Sequence, residues 1–133
     1  MKQLHLHRDK FAAYIGLDWA NAKHDICLQA MGWDVTERFV LEHRPESIDA
    51  WARELRQRFL AQPVALALEL FKGPIVAALA KYDFFVLFPI NPATLAKYRE
   101  TWTHSGAKDD PTDAELALEL ITKHPERFQP LNP

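Results

Sequence analysis

Four carboxylates carry the chemistry open to this sequence: Asp18, Glu69, Asp110 and Asp113. Asp18 closes the apolar run AYIGL, and Glu69 closes VALAL. A carboxylate at the end of such a run is costly to bury without a partner. Two of them side by side repel, and one takes up a proton unless a cation lies between them. Hard oxygen ligands of this kind suit Mg²⁺ or Mn²⁺. Asp110 and Asp113 stand in the string KDDPTDA, where a spacing of three residues places both on one side of a first helical turn. The same string is a good helix start, with Asp110 before Pro111 as N-cap and Asp113 at N3. Capping by one acid and ligation by the other are compatible, and Asp109 is a third acid nearby. Asp18 taken alone also reads as a turn residue.

The elements that must position these acids follow from periodicity. Residues 12–18 alternate as a strand, with Ala13, Ile15 and Leu17 on one face and Tyr14, Gly16 and Asp18 on the other. Residues 25–30 predict a second strand, Gly32 a turn, and residues 35–41 a third strand, close enough in sequence for an antiparallel meander. Pro45 opens a helix in which Ile48, Trp51, Leu55 and Phe59 follow helical spacing, and Pro63 ends that region. The almost wholly apolar VALALE, residues 64–69, has the signature of a parallel strand buried on both faces. Gly73-Pro74 starts a helix to about Lys81, and residues 84–88 predict a buried strand closed by Pro89. Asn91-Pro92 starts a short helix toward Tyr98; a polar loop then runs to Asp109, and a helix from Pro111 to about Thr122. The tail, residues 124–133, holds three prolines and no periodic pattern, as a linker would.

The order β-β-β-α-β-α-β-α-α is that of an α/β, RNase H-like domain. Its mixed sheet has three antiparallel strands and then helix-linked parallel strands. In that fold the first and fourth strands are parallel neighbours, roughly 4.8 Å apart, so Asp18 and Glu69 converge. The expected division is an N-terminal arm over residues 1–11, the domain over 12–122, and a linker over 123–133.

At 133 residues, 48% of them hydrophobic and 26% charged, the chain has the balance of one globular domain. The single Cys27 lies in an apolar stretch and predicts a buried free thiol in a reducing compartment. No apolar run approaches the ~20 residues that cross a bilayer, and the basic first ten residues are followed by no signal-peptide core; a cytoplasmic protein is expected. A net charge of −2 argues against a dedicated nucleic-acid-binding module, which is usually basic. Local basic stretches exist all the same. Lys2, His5, His7, Arg8 and Lys10 form one; Lys97, Arg99 and Lys108 around Tyr98 and Trp102 form another. The second could contact phosphates or unstacked bases, or be a solvated loop.

Four segments, YIGLDWANAKHDICL, VALALELFKGP, FPINPATLAKYRETW and AKDDPTDAELAL, together resemble the DEDD transposases of the IS-one-ten insertion-sequence family, recombinases understood as guided by a bridge RNA. The resemblance spans roughly residues 13–121, with Asn91-Pro92 also matching. It implies an N-terminal RuvC-like domain whose four acids, here Asp18, Glu69, Asp110 and Asp113, bind Mg²⁺ or Mn²⁺ for DNA strand cleavage and recombination. DNA, a guide RNA and further copies of the chain are the implied partners. The family's catalytic serine lies in a C-terminal domain; Ser47 and Ser105 do not match it, so a fragment inactive by itself is expected. Leu70-Phe71-Lys72-Gly73 carries one residue more than the family's turn, and Pro111 stands where a basic residue is usual. Two other readings suit the same acids: a stand-alone RuvC-like junction nuclease, and a non-catalytic RNA- or DNA-binding assembly module in which they only cap helices. An actin-like nucleotide site would need a glycine soon after Asp18, where Trp19-Ala20-Asn21 stands.

Overall fold

The computed structural model of the chain describes residues 11–69, 73–104 and 111–131. Strands β1 (Ala13–Asp18), β2 (Lys23–Ala30) and β3 (Glu37–Glu42) come first, followed by helix α1 (Pro45–Arg58). Then β4 (Val64–Glu69), α2 (Gly73–Ala80), β5 (Phe85–Ile90), α3 (Pro92–His104) and α4 (Asp113–Lys123) alternate to the end of the domain. The five strands form one sheet in the order β3-β2-β1-β4-β5. β2 pairs antiparallel with β1 and β3, while β4 runs parallel to β1 and β5 parallel to β4. This is the mixed sheet expected of an RNase H-like domain.

Two apolar layers flank the sheet, and strand alternation assigns each residue to one. Ile15, Leu17, Ile26, Leu28, Leu66 and Leu68 face α1 and α2, where Ile48, Trp51, Leu55, Ile75 and Leu79 meet them. Tyr14, Cys27, Ala65, Ala67 and Phe88 face the other way, toward Leu95 of α3 and the apolar stripe of α4. α1 starts on Pro45, whose fixed φ suits a first helical turn. It ends where Leu60 and Ala61 take positive φ values of 57° and 62° and turn the chain into β4. Cys27 is a buried free thiol.

The structure departs from the periodicity reading at three places. β5 continues through Pro89 to Ile90, pairing Leu68 with Pro89 and Glu69 with Ile90, where a stop at Pro89 was expected. Proline is tolerated there because β5 is an edge strand, which can spare a donor. α3 runs well past Tyr98 to His104. α4 begins at Asp113, not at Pro111. Beyond α4, residues Pro125–Arg127 form a 3₁₀ turn, Phe128 packs on the α4 layer, and the Leu131 N–H donates to the Leu87 carbonyl over 2.7 Å. No helix among the described residues is long and apolar enough to cross a membrane.

A candidate acidic active site at the ends of β1 and β4

Register brings the strand acids together. Leu17 pairs with Leu68, so the next residues, Asp18 and Glu69, end adjacent parallel strands on the face covered by α4. Across the antiparallel pair Asp18 stands opposite Asp25, which shares that face. Asp18 is half-buried, and its carboxyl is pushed up to about 6 from the ordinary 3.8. Burial is the main cause; the carboxylates of Asp113, Asp25 and Glu69 add to it, and the Arg99 guanidinium works against it. Three acids from three other elements therefore act on Asp18.

The fourth element is set by a glycine. Gly16, two residues before Asp18 on the same face, lies under the first turns of α4. A Cβ on it would overlap the Ala114 carbonyl oxygen and come 2.6 Å from the Leu118 nitrogen. With Ala65 and Ala67 of β4 equally small and fully buried beneath the helix, α4 sits close on the sheet and its N-terminus reaches Asp18.

The helix start corrects the capping expected for Asp110 and Asp113. Thr112 is the N-cap: its hydroxyl accepts from the Glu115 N–H over 3.1 Å, and the Glu115 carboxylate accepts from the Thr112 N–H over 2.8 Å. Glu115 also pairs with Arg38 of β3, tying this turn to the sheet edge. The capping box is thus complete without Asp113, which stands at the first helical position with its side chain free of capping. The reason is local: threonine followed three residues later by glutamate satisfies two orphan N–H groups at once.

Arg99 and Tyr98 join α3 to α4. Arg99 donates through Nη1 to the Pro111 carbonyl over 2.9 Å and through Nη2 to Asp113 Oδ1. The Tyr98 hydroxyl donates to Glu119 Oε1 over 2.5 Å, and burial together with that carboxylate pushes it up to about 12.

His24 braces the turn after Asp18 from the opposite face of the sheet. Its side chain is 1% exposed, the only buried polar one among the described residues. Nδ1 accepts from the Ala20 N–H over 3.0 Å, so Nε2 carries the proton and donates to His43 Nδ1 over 2.9 Å. Burial, then His43, pushes the His24 pKa below 6.5.

Residues 15–133 match the family model of the DEDD transposases of IS110, described as a transposase. The chain belongs to this IS110 transposase family. It is 32% identical over 125 residues to y4uE of Sinorhizobium fredii, described as a transposase, covering 91% of this chain and 34% of that protein. It is 29% identical over 129 residues to the mini-circle transposase described for IS117 of Streptomyces coelicolor, covering 92% of this chain and 30% of that protein. The chain thus spans about a third of the length of these curated relatives. Thermus thermophilus RuvC shares the fold at 16% identity with a TM-score of 0.54, covering 90% of this chain and 99% of RuvC.

Of the acids singled out in this IS110-family chain, Asp18, Glu69 and Asp113 are brought to one end of the sheet, and Asp110 lies outside the described residues. Among the described residues no three His, Cys, Asp or Glu side chains enclose a metal position, and Asp113 is engaged by Arg99. Of the basic stretch, Lys97 is exposed on α3, Arg99 turns into the acidic site, the side chain of Trp102 is not described, and Lys108 lies outside the described residues. Asp25, Gly16 and His24 were not singled out as site residues. A hairpin register carried back from the β1–β2 turn would have found Asp25; the other two depend on tertiary approach.

Proposed function

We propose that this chain is the catalytic RuvC-like domain of a transposase that cleaves and recombines DNA, with Asp18, Glu69, Asp113 and Asp110 holding Mg²⁺ or Mn²⁺. The observation that carries the reading is the convergence on Asp18, at the end of a buried strand, of carboxylates from β4 and α4. All the donors are carboxylate oxygens that repel one another, and such a set is relieved by a hard divalent cation. Bound there, the cation supplies Lewis-acid stabilisation of the charge that builds on a phosphate oxygen.

The chain's own residues do the rest. Gly16 and the Thr112–Glu115 box hold the start of α4 over the sheet, so Asp113 meets the strand acids at a fixed height. His24 keeps the backbone after Asp18 in place. Lys97, Arg99 and Lys108 would contact phosphates flanking the reacting bond and so offset the acidic character of the site, and Trp102 would stack on an unstacked base. Resemblance to the family adds a guide RNA, further copies of the chain, and a distant serine acting with this site.

The test is an excision assay with an intact transposase that contains this sequence. Glu69→Gln is expected to reduce recombination below detection while the domain keeps its melting temperature to within a few degrees. Recombination at the wild-type level in that variant would overturn the proposal.

A further inference from the structure

We infer that Arg99 is a built-in counter-cation of the acidic site: its guanidinium holds Asp113 in the metal-free domain, and a divalent cation must displace it from that carboxylate. The inference rests on the metal-binding role proposed for these acids, and it adds a residue the basic character of α3 had suggested only for phosphate contact.

Two prongs of one guanidinium make the contact. Nη1 takes the Pro111 carbonyl at 2.9 Å, and Nη2 takes Asp113 Oδ1. Arg99 therefore grips backbone on one side of the Thr112 cap and side chain on the other. Tyr98, its neighbour in sequence, is held to Glu119, so α3 is tied to α4 beside Arg99 independently of Asp113. Releasing Asp113 would leave that tie in place.

Charge gives the contact its meaning. Asp25, Glu69 and Asp113 all act on the Asp18 carboxyl in one direction at the end of the sheet, and Arg99 acts on it in the other. A guanidinium and a hard cation both seek carboxylate lone pairs and repel each other as like charges, so a cation bound at Asp113 competes with Arg99 for that carboxylate. The pair is also open to exchange: both side chains are 38% exposed, so water screens it and its strength is that of a partly exposed ion pair. Once displaced, the guanidinium remains on α3 beside the site as a planar donor fork, the geometry that suits a phosphate.

The test is a calorimetric titration of Mn²⁺ into the chain and into Arg99→Gln and Arg99→Lys. Loss of the competing cation is expected to tighten Mn²⁺ binding about threefold or more in Arg99→Gln, the worth of such an ion pair. Arg99→Lys, which keeps the charge, is expected to stay near wild type. A second readout needs no variant: the Arg99 guanidinium ¹⁵N–¹H resonances, slowed by the Asp113 contact, should broaden or shift as Mg²⁺ saturates the wild-type chain. Binding that appears only in Arg99→Gln would also support the inference. Equal or weaker Mn²⁺ binding in Arg99→Gln, with guanidinium resonances unmoved at saturating Mg²⁺, would overturn it while leaving the metal site intact. No metal binding by any of the three proteins would overturn both the inference and the site.

Discussion

Gly16 and Ala114 touch through space that no side chain could enter: a methyl group on Gly16 would overlap the Ala114 carbonyl oxygen. The residue two places before the strand acid Asp18 thus admits the helix whose first residue is the acid Asp113. Gly16→Ala is expected to destabilise the domain by about 1–3 kcal/mol in denaturant melts, the usual penalty of overpacking. Because the obstacle is helix backbone, α4 must move as a body, and divalent-cation affinity should fall in the same variant. A melting curve like that of wild type would mean that α4 does not sit this close.

Asp18 is expected to destabilise the metal-free domain at neutral pH. Its folded pKa of about 6 lies above the ordinary 3.8, so the folded state binds its proton more tightly than the unfolded one. The stabilisation is full below 3.8 and is lost as the pH rises through about 6. Asp18→Asn should therefore raise stability in chelator by roughly 1–2 kcal/mol near neutrality, discounting the shift for partial exposure. Near the ordinary carboxylate pKa the gain should vanish. Chemical denaturation at both pH values checks it, and an Asn variant less stable than wild type at neutrality would count against the acid cluster.

His24 works in the opposite sense. Its folded pKa is depressed below 6.5, so its contribution is full above 6.5 and is lost as the pH falls through the folded value. Its Nδ1 accepts from Ala20 N–H, a bond that an added proton would break. In the Asp18→Asn background, with the opposing titration gone, stability should decline as the pH is lowered from neutrality, and His24→Gln should flatten that decline. Stability that rises on acidification in Asp18→Asn would contradict the tautomer assigned to the buried ring.

The helix cap separates structure from chemistry. Thr112→Ala removes the N-cap hydroxyl and should lower stability by about 1 kcal/mol. Asp113→Asn, which leaves the capping box whole, should change stability far less and weaken divalent-cation binding. The reverse ranking in thermal melts would mean that the Asp113–Arg99 pair, and not the Thr112 cap, holds the start of α4.

The architecture was legible because each strand announces its own partner layer. VALALE has apolar residues for both faces and must lie inside a sheet; AYIGLD alternates, with Ala13, Ile15 and Leu17 toward α1 and Tyr14, Gly16 and Asp18 toward α4. Asp18 and Glu69 followed from that, since the ends of parallel neighbours in register are neighbours themselves. The start of α4 was harder. Asp110-Pro111 and Thr112 both make good caps, and local propensity does not choose between helix starts two residues apart. Glu115 chooses, by completing the box and by pairing with Arg38 of a strand more than seventy residues away. Arg99 illustrates the same limit: a cation in a basic, aromatic stretch suggests an outward-facing contact, and only the packing of α3 on α4 turns it onto Asp113.

The measurement that bears most directly on the acidic site is a calorimetric titration of Mn²⁺ into the wild-type chain and into Asp18→Asn and Glu69→Gln at two pH values on either side of the Asp18 pKa of about 6. Metal binding that requires ionised ligands releases protons and strengthens with pH. The account predicts millimolar or tighter binding in wild type, stronger at the higher pH, and at least tenfold weaker in both variants, as expected when a ligating charge is removed. Binding of equal strength in all three proteins, or none in wild type at either pH, would contradict it and leave Asp18, Glu69 and Asp113 as strand-end and helix-start residues of a RuvC-like fold.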